Sequence, residues 1–190
     1  MRITGGLARG IHLLCPKNFS IRPTTDALRE SVFAILGPSV PGCRFIDLFA
    51  GVGGYGLEAL SRGARSGLFV EKNPHHAAVL RENLRRVEKS AAISEGNFRI
   101  SCADAFLCQF PAADLLFIDP PYDLLREGIA PFFALLEKFF AENVPGAIAT
   151  IEMPVDLEFP LPEGIECCGS PGKRKGRQSP RALLLRRRRQ

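Results

Sequence analysis

Four residues near the middle of the chain, Asp119-Pro120-Pro121-Tyr122, bring together a carboxylate, a rigid turn and an aromatic ring. They follow the apolar run Ala113–Ile118, which is short and ends at two prolines, and which therefore predicts a buried strand. Each proline has a fixed φ and no N–H group, so the backbone carbonyl groups of the turn are held rigidly. In open α/β sheets, ligands bind at the carboxyl ends of the strands. The pattern therefore predicts a functional site at the end of this strand.

The turn has the groups needed to hold a planar amine during attack. The exocyclic amino group of a nucleobase is a poor nucleophile because its lone pair is delocalised into the ring. If the Asp119 carboxylate and the Pro120 carbonyl oxygen accept its two hydrogens, the nitrogen can rehybridise and its developing positive charge is stabilised. Tyr122 would stack on the base. The alternative is an ordinary strand-ending turn with Asp119 as a solvated cap, since Asp-Pro is also a common turn signal.

A glycine turn upstream, between an apolar strand and a helix, predicts a second ligand-binding element. Gly51, Gly53 and Gly56 match G-x-G-x-x-G, and Glu71 follows the first glycine by about 20 residues, as ribose-binding acids do. Asp47 precedes this turn, where a carboxylate is a poor neighbour for a pyrophosphate on a helix N-terminus. S-adenosylmethionine has an ammonium group and a ribose but no phosphate, so it suits both acids. The alternative is a tight strand-to-helix turn without a ligand.

Strand and helix patterns alternate along the rest of the chain. Asn73-Pro74 predicts a helix N-terminus, Phe98–Ala103 a third strand, Ile129–Phe140 an amphipathic helix and Gly146–Glu152 a fifth strand. Such alternation predicts a mostly parallel, doubly wound sheet. Asp104, at the end of the third strand, could accept a hydrogen bond from an adenine amino group or could simply cap the strand.

Size and composition agree with one domain of this kind. The chain has 190 residues, of which 46% are hydrophobic, so it can bury a substantial core. No apolar run approaches the ~18 residues of a membrane span, and the first residues do not form a signal peptide. The six cysteines show no zinc spacing, so reduced thiols are expected. These features favour a soluble cytoplasmic protein without a metal ion or a membrane partner.

Positive charge is concentrated near the C-terminus. Residues 167–190 contain nine of the 25 Lys and Arg residues and no acid, in a chain of net charge +5. The clusters Lys173–Arg177 and Arg186–Arg189 are of the kind that neutralises phosphates. Ala182–Leu185, between them, predicts a last strand. The alternative is a merely solvated tail.

The glycine-rich start of the chain is also basic, and it predicts a small hairpin around Gly5-Gly6. Arg2, Arg9 and Lys17 belong to this segment. Basic groups at both ends of the chain would suit an enzyme that binds a nucleic acid and flips its target base into the Asp119 pocket.

The chain resembles bacterial S-adenosylmethionine-dependent methyltransferases that modify the exocyclic N2 of a guanine in 16S ribosomal RNA. The similarity runs from Met1 to about Ile151. Besides the Asp119 motif, it rests on the start of the chain, on Asp47–Arg62 and on Arg22-Pro23-Thr24-Thr25-Asp26 followed by Arg29-Glu30. The Arg22 segment is the more specific motif for this family, because Asp-Pro-Pro-Tyr is shared with other amino-group methyltransferases. Its guanidinium and two hydroxyls could bridge cofactor and RNA, or Thr25 or Asp26 could simply cap a helix.

The resemblance implies an α/β fold of the class I (Rossmann-like) methyltransferase type. Its seven-stranded, mostly parallel sheet would have helices on both faces and an antiparallel last strand. Residues 1–36 would form a basic N-terminal extension with a hairpin and a capped helix, and residues 37–190 would form the methyltransferase domain with its basic tail. The partner would be 16S ribosomal RNA, the small ribosomal subunit or an assembly intermediate, and the enzyme would be a monomer.

The resemblance also implies roles for individual residues. Methyl transfer would be a direct in-line displacement, without a metal ion or a covalent enzyme intermediate. The implied catalytic residues are Asp119, Pro120 and Tyr122; the cofactor-binding residues are Asp47, Phe49, Gly51, Gly53, Glu71, Asp104 and Ala105; the RNA-binding residues are Arg2, Arg9, Arg22, Thr24, Thr25, Lys173, Arg174 and Lys175.

Three other functions share parts of this pattern. An adenine-N6 methyltransferase acting on DNA or RNA, or a protein-glutamine methyltransferase, would use the same cofactor and nearly the same turn. A nucleotide-dependent oxidoreductase would share the glycine turn but has no use for Asp119-Pro120-Pro121-Tyr122. A non-catalytic RNA-binding protein would need the basic tail but not the acids Asp47, Glu71 and Asp119.

Overall fold

The computed structural model describes residues 1–16, 25–93, 96–109, 111–143, 145–172 and 179–188, and its core is a sheet covered by helices. The helices are α1 (Asp26–Leu36), α2 (Gly54–Ser61), α3 (Pro74–Ala91), α4 (Tyr122–Glu127) and α5 (Ala130–Glu142). The strands are β1 (Arg44–Leu48), β2 (Ser66–Val70), β3 (Phe98–Ser101), β4 (Leu115–Ile118), β5 (Ile148–Pro154), β6 (Ile165–Gly169) and β7 (Pro180–Arg187).

The seven strands lie in the order β3-β2-β1-β4-β5-β7-β6. Strands β1 to β5 are parallel, whereas β7 runs antiparallel between β5 and β6. This topology confirms the predicted class I sheet with its antiparallel last strand. The strand order reverses between β1 and β4, and in open α/β sheets such a switch point is where ligands bind. Across the described ranges, no helix is both long and apolar enough to cross a membrane.

Side chains that alternate along the strands divide the interior into two cores. Phe45 and Phe117 face a core formed with α1, α2 and α3. Ile46 and Ile118 face a core formed with α4 and α5. Each of these strands is buried on both sides, which explains the continuous apolar runs in the sequence.

Polar side chains fix the starts of two helices. The Asn73 side chain accepts a hydrogen bond of 2.9 Å from the His75 N–H, and Pro74 is the first residue of α3, so the predicted helix start is confirmed. The Thr25 hydroxyl oxygen accepts a 3.2 Å hydrogen bond from the Leu28 N–H at the start of α1. Thr25 is therefore a helix cap, which was the structural alternative to an RNA-binding role.

The first residues form a hairpin-like loop that packs on the sheet's first core. Arg2 and His12 form an antiparallel bridge, and the Ile3 N–H donates a 2.9 Å hydrogen bond to the Ile11 carbonyl. Ile3 and Ala8 are buried in the same core as α1. Their burial fixes the loop against the helices of that face.

A buried carboxylate, that of Glu58 in α2, connects this loop to α1. Glu58 accepts 2.8 Å hydrogen bonds from the N–H groups of Thr4 and Gly5, and a 2.7 Å bond from Arg62 Nε. It also lies 3.3 Å from Arg29 Nε, and neither the Arg29 nor the Glu58 side chain is exposed to solvent. Such a pair is stable only while both charges keep their partners.

We predict that Glu58→Ala lowers the free energy of unfolding by about 3–5 kcal/mol, because the buried Arg29 guanidinium loses its fully buried counter-charge and keeps the partly exposed Asp26 carboxylate, 2.9 Å away. Urea denaturation measures this change. Glu82→Ala is the matched control, since it removes an exposed ion pair with Arg85 that contributes at most about 1 kcal/mol. Equal losses in the two variants would contradict the importance of the buried pair.

Candidate active site

A cavity of about 330 Å³ opens beside the loops that follow β1, β2, β3 and β4. Its volume is in the range of small-molecule sites, and it lies next to the switch point of the sheet. Six of the predicted site residues line it: Phe49, Gly51, Glu71, Asp104, Ala105 and Asp119. The structure thus brings together residues from four separate loops.

Glu71 is held rigidly at the end of β2. Its Oε2 accepts a 2.8 Å hydrogen bond from the Gly51 N–H, and its Oε1 accepts a 2.7 Å bond from the Asn73 N–H. A carboxylate offers about four lone-pair positions, so two backbone donors leave capacity for further donors. Two neighbouring hydroxyl groups of a ligand fit this remaining capacity.

An aromatic wall closes the cavity near the loop after β3. The rings of Phe49 and Phe106 meet edge to face at 5.4 Å, and both pack on Phe132. Phe49 has a φ of 61°, in the left-handed region that is uncommon for bulky side chains. A strained residue at a ligand cavity is typical of a functional site. Phe106 was not predicted, because nothing in its local sequence distinguishes it from a core residue.

Asp104 lies at the end of this wall. Its Oδ2 is 2.8 Å from Lys72 Nζ, and its Oδ1 accepts a 3.0 Å hydrogen bond from the Phe106 N–H. These two bonds hold the pKa of Asp104 below its usual value, and the bond from Lys72 has the larger effect. Asp104 therefore remains an ionised acceptor beside the buried Ala105.

Two predicted cofactor-binding residues, Asp47 and Gly53, lie outside the cavity lining. Asp47 is buried, and its Oδ2 accepts a 2.8 Å hydrogen bond from the Gly56 N–H in the first turn of α2. Gly53 has a φ of 99°, and a Cβ there would lie 2.6 Å from side-chain carbons of Leu57 and Leu80. Both residues therefore support the glycine turn without lining the cavity.

Burial raises the pKa of Asp47 to about 8, and the nearby charges of Asp119 and Glu71 add to this shift. The folded protein therefore keeps a proton that the unfolded chain releases near its ordinary pKa of 3.8. Stability from this group is complete below about pH 4 and is lost as the pH rises through about 8.

We predict that Asp47→Asn reduces the decline in stability between about pH 5 and pH 8, because asparagine has no proton to lose. Urea denaturation at several pH values measures the slope. Asp114→Asn is the control: hydrogen bonds from Arg44 lower the pKa of Asp114, so its stabilisation is lost on acidification and its removal leaves the decline above pH 5 in place. An unchanged slope in Asp47→Asn would contradict the raised pKa.

Asp119 and Tyr122 form the side of the cavity that follows β4. Asp119 is half-buried and lines the cavity, whereas Pro120 is buried and Tyr122 is half-buried outside the lining. Tyr122 is the first residue of α4, and its hydroxyl donates a 3.2 Å hydrogen bond to Oε1 of Glu152. Glu152 was not predicted as a site residue, since in the sequence it only ends an apolar strand.

The structure describes three of the predicted RNA-binding residues: Arg2, Arg9 and the helix cap Thr25. Arg2 and Arg9 share a second, smaller cleft of about 120 Å³ with Asp26, and Arg2 Nε is 3.5 Å from Asp26 Oδ2. Five others lie outside the described residues: Arg22, Thr24, Lys173, Arg174 and Lys175. Lys17 lies outside them as well.

The arginines at the end of β7 lie near the amino ends of the parallel strands. Ile148, the first residue of β5, pairs with Arg186, whereas Pro154, the last, pairs with Pro180. The run Arg186–Arg188 therefore lies near the amino ends of the parallel strands, opposite the cavity. Arg186 Nε is also 2.7 Å from Glu166 Oε1.

Among the residues that the structure describes, no group of three or more His, Cys, Asp and Glu side chains is arranged to hold a metal ion. The acids of the cavity instead contact backbone N–H groups and Lys72.

Comparison with known proteins places these features in a family. Residues 1–175 match the family model described as conserved hypothetical protein 95. Ribosomal RNA small subunit methyltransferase D of Haemophilus influenzae is 33% identical over 86% of this chain and 83% of its own length. The Escherichia coli K12 protein of the same name is 39% identical over 68% of this chain and 65% of its own length.

The chain belongs to the ribosomal RNA small subunit methyltransferase D family. The solved structure titled "Putative methyltransferase yhhF from Escherichia coli" has a TM-score of 0.79 and 30% identity, with 100% of this chain and 99% of that chain covered. The resemblance seen in the sequence motifs is thereby confirmed at the level of family and fold.

Proposed function

We propose that this protein transfers a methyl group from S-adenosylmethionine to the exocyclic N2 amine of a guanine in the RNA of the small ribosomal subunit. One observation carries the proposal: Glu71 and Asp104, on the side of the methyl donor, line the same cavity as Asp119, which begins the turn suited to holding an amine. The names of the family members supply the class of RNA.

The residues of the cavity fit the methyl donor. The free lone pairs of Glu71 would accept the ribose hydroxyls, and the wall of Phe49, Phe106 and Ala105 would hold the adenine ring, with Asp104 near its amino group. Among the described residues of the lining, the three acidic side chains, Glu71, Asp104 and Asp119, outnumber the one basic side chain, Lys72, which is paired with Asp104. A negatively charged cavity favours a sulfonium cation and disfavours a pyrophosphate.

On the acceptor side, Asp119 and the Pro120 carbonyl would accept the two N2 hydrogens of the guanine. When bound, S-adenosylmethionine supplies an already activated methyl group. As the new N–C bond forms, positive charge appears on N2, where the Asp119 carboxylate stabilises it. Asp119 can then take the proton that N2 releases. Tyr122 would stack on the base, so that much of the rate comes from proximity and alignment.

The choice of guanine rests on the Arg22-Pro23-Thr24-Thr25-Asp26 segment, which distinguishes this family from other amino-group methyltransferases with the same turn. Arg22, Pro23 and Thr24 lie outside the described residues. We assign RNA binding to this segment and to the basic cluster Lys173–Arg177.

The test is transfer of labelled methyl from S-adenosylmethionine to small ribosomal subunits, or to their RNA, from cells that lack this protein. Digestion to nucleosides then identifies the product. We expect N2-methylguanosine, and at least about 100-fold slower formation of it with the Asp119→Ala variant. N6-methyladenosine would overturn the choice of base, and the absence of label in any RNA would overturn the RNA substrate.

A further inference from the structure

The two tyrosines of the chain, Tyr55 and Tyr122, donate hydrogen bonds to the same carboxylate, that of Glu152 in β5. Tyr55, in α2, bonds Oε2 at 3.0 Å, and Tyr122, at the start of α4, bonds Oε1 at 3.2 Å. Glu152 is only 3% exposed. One strand residue therefore connects a buried phenol to the phenol of the Asp119 turn.

The Tyr55 side of this arrangement is rigid. Tyr55 is 2% exposed, and its ring stacks on that of Phe117 at 5.3 Å with an interplanar angle of 17°. The Glu152 backbone pairs with Ala182 in β7. Burying a carboxylate is costly unless donors compensate it, and the two phenols act as donors here. Glu152 is therefore a fixed acceptor at the edge of the site.

The Tyr122 side is less deeply buried than the Tyr55 side, although its ring also packs against the second core. Helix α4 has only six residues, and Leu125 is its one buried residue. Its Arg126 forms an ion pair with Asp156 at 2.9 Å, but exposed pairs of this kind hold a helix weakly. The 3.2 Å hydrogen bond to Glu152, in contrast, acts on the Tyr122 ring directly. This bond holds the Tyr122 ring at its hydroxyl, the end of the side chain farthest from the backbone.

We propose that Glu152 is a positioning residue, whose carboxylate holds the Tyr122 ring in the orientation that stacks on the base gripped by Asp119. The inference rests on the proposed function. It goes beyond that function because Glu152 is not among the residues that line the cavity, and would act on the reaction through Tyr122.

Two single substitutions form a matched pair, because each removes one phenol hydroxyl from the same carboxylate. We expect Tyr122→Phe to lower kcat by about 10- to 100-fold, since small misplacements have effects of this size, with unchanged affinity for S-adenosylhomocysteine. We expect Tyr55→Phe to leave kcat near the wild-type value. It should lower Tm more than Tyr122→Phe does, because the Tyr55 hydroxyl is the more deeply buried of the two. If the variant with the larger loss of Tm also showed the larger loss of kcat, the role of Glu152 would be merely structural.

A double-mutant cycle tests the pairing directly. In the Tyr55→Phe background, Glu152→Leu and Tyr122→Phe are each expected to lower kcat, and their combination to lower it no further, because the two residues act through one bond. Independent, multiplying losses would overturn the proposal.

A measurement without turnover separates this inference from the proposed function. The chain has no tryptophan, so Tyr122 is the one remaining source of tyrosine emission in the Tyr55→Phe variant. We expect its fluorescence anisotropy to fall when Glu152→Leu is added, since the ring loses its anchor. Unchanged anisotropy would overturn the positioning role. If the wild-type protein methylated no RNA, the proposed function would fail, and the anisotropy would still decide the role of Glu152.

Discussion

Asp119→Ala is expected to lower kcat by about 10²- to 10³-fold, the typical effect of removing one group that stabilises transition-state charge. Asp119 begins the turn after β4 and lines the cavity. The pKa values of Tyr55 and Asp47 are raised chiefly by burial, and the negative charge of Asp119 adds to both shifts. The same charge would stabilise the positive amine nitrogen as the methyl group arrives. Single-turnover methylation with saturating RNA measures the effect.

Affinity for S-adenosylhomocysteine should stay nearly unchanged in Asp119→Ala, because Glu71 and the aromatic wall remain in place. Asp123→Ala is the matched control: Asp123 lies in the same segment, is exposed and does not line the cavity. A normal kcat in Asp119→Ala, or an equal loss in Asp123→Ala, would exclude the proposed catalytic role of Asp119.

The parts of the site that could be predicted from the sequence have local signals. The apolar run ended by two prolines predicted β4 and the turn after it, and β4 indeed ends at Ile118. The spacing between the glycine turn and Glu71 predicted two loops on one edge, and their contact is a 2.8 Å hydrogen bond between Gly51 and Glu71. Once a parallel sheet is predicted, residues at strand ends must share that edge.

Other parts depend on contacts between distant segments. Glu152 bonds Tyr55 and Tyr122, which are 97 and 30 residues away in the chain. No periodicity or motif marks such a residue before the strand order is known. The buried pair of Arg29 and Glu58 was missed for the same reason, because charged residues in helices usually face solvent.

The strand register also changes how the basic tail must be tested. Residues 173–178 lie outside the described residues, but Gly172 forms a bridge with Arg181 near the start of β7, at the edge where β5 ends. Deleting the tail would remove β7, which lies between β5 and β6. Substitutions that neutralise charge avoid this loss of structure.

We therefore predict that the triple substitution Lys173→Gln, Arg174→Gln and Lys175→Gln weakens RNA binding and lowers the slope of log K against log salt by about 1 for each phosphate that is no longer neutralised. Titrations of small-subunit RNA at several salt concentrations measure both quantities. The matched control, Arg187→Gln with Arg188→Gln, neutralises two arginines at the edge of the sheet opposite the cavity and should leave the slope unchanged. The reverse pattern would place the RNA on the Arg187 edge, away from the cavity, and would contradict the assignment of the 173–177 cluster to the substrate.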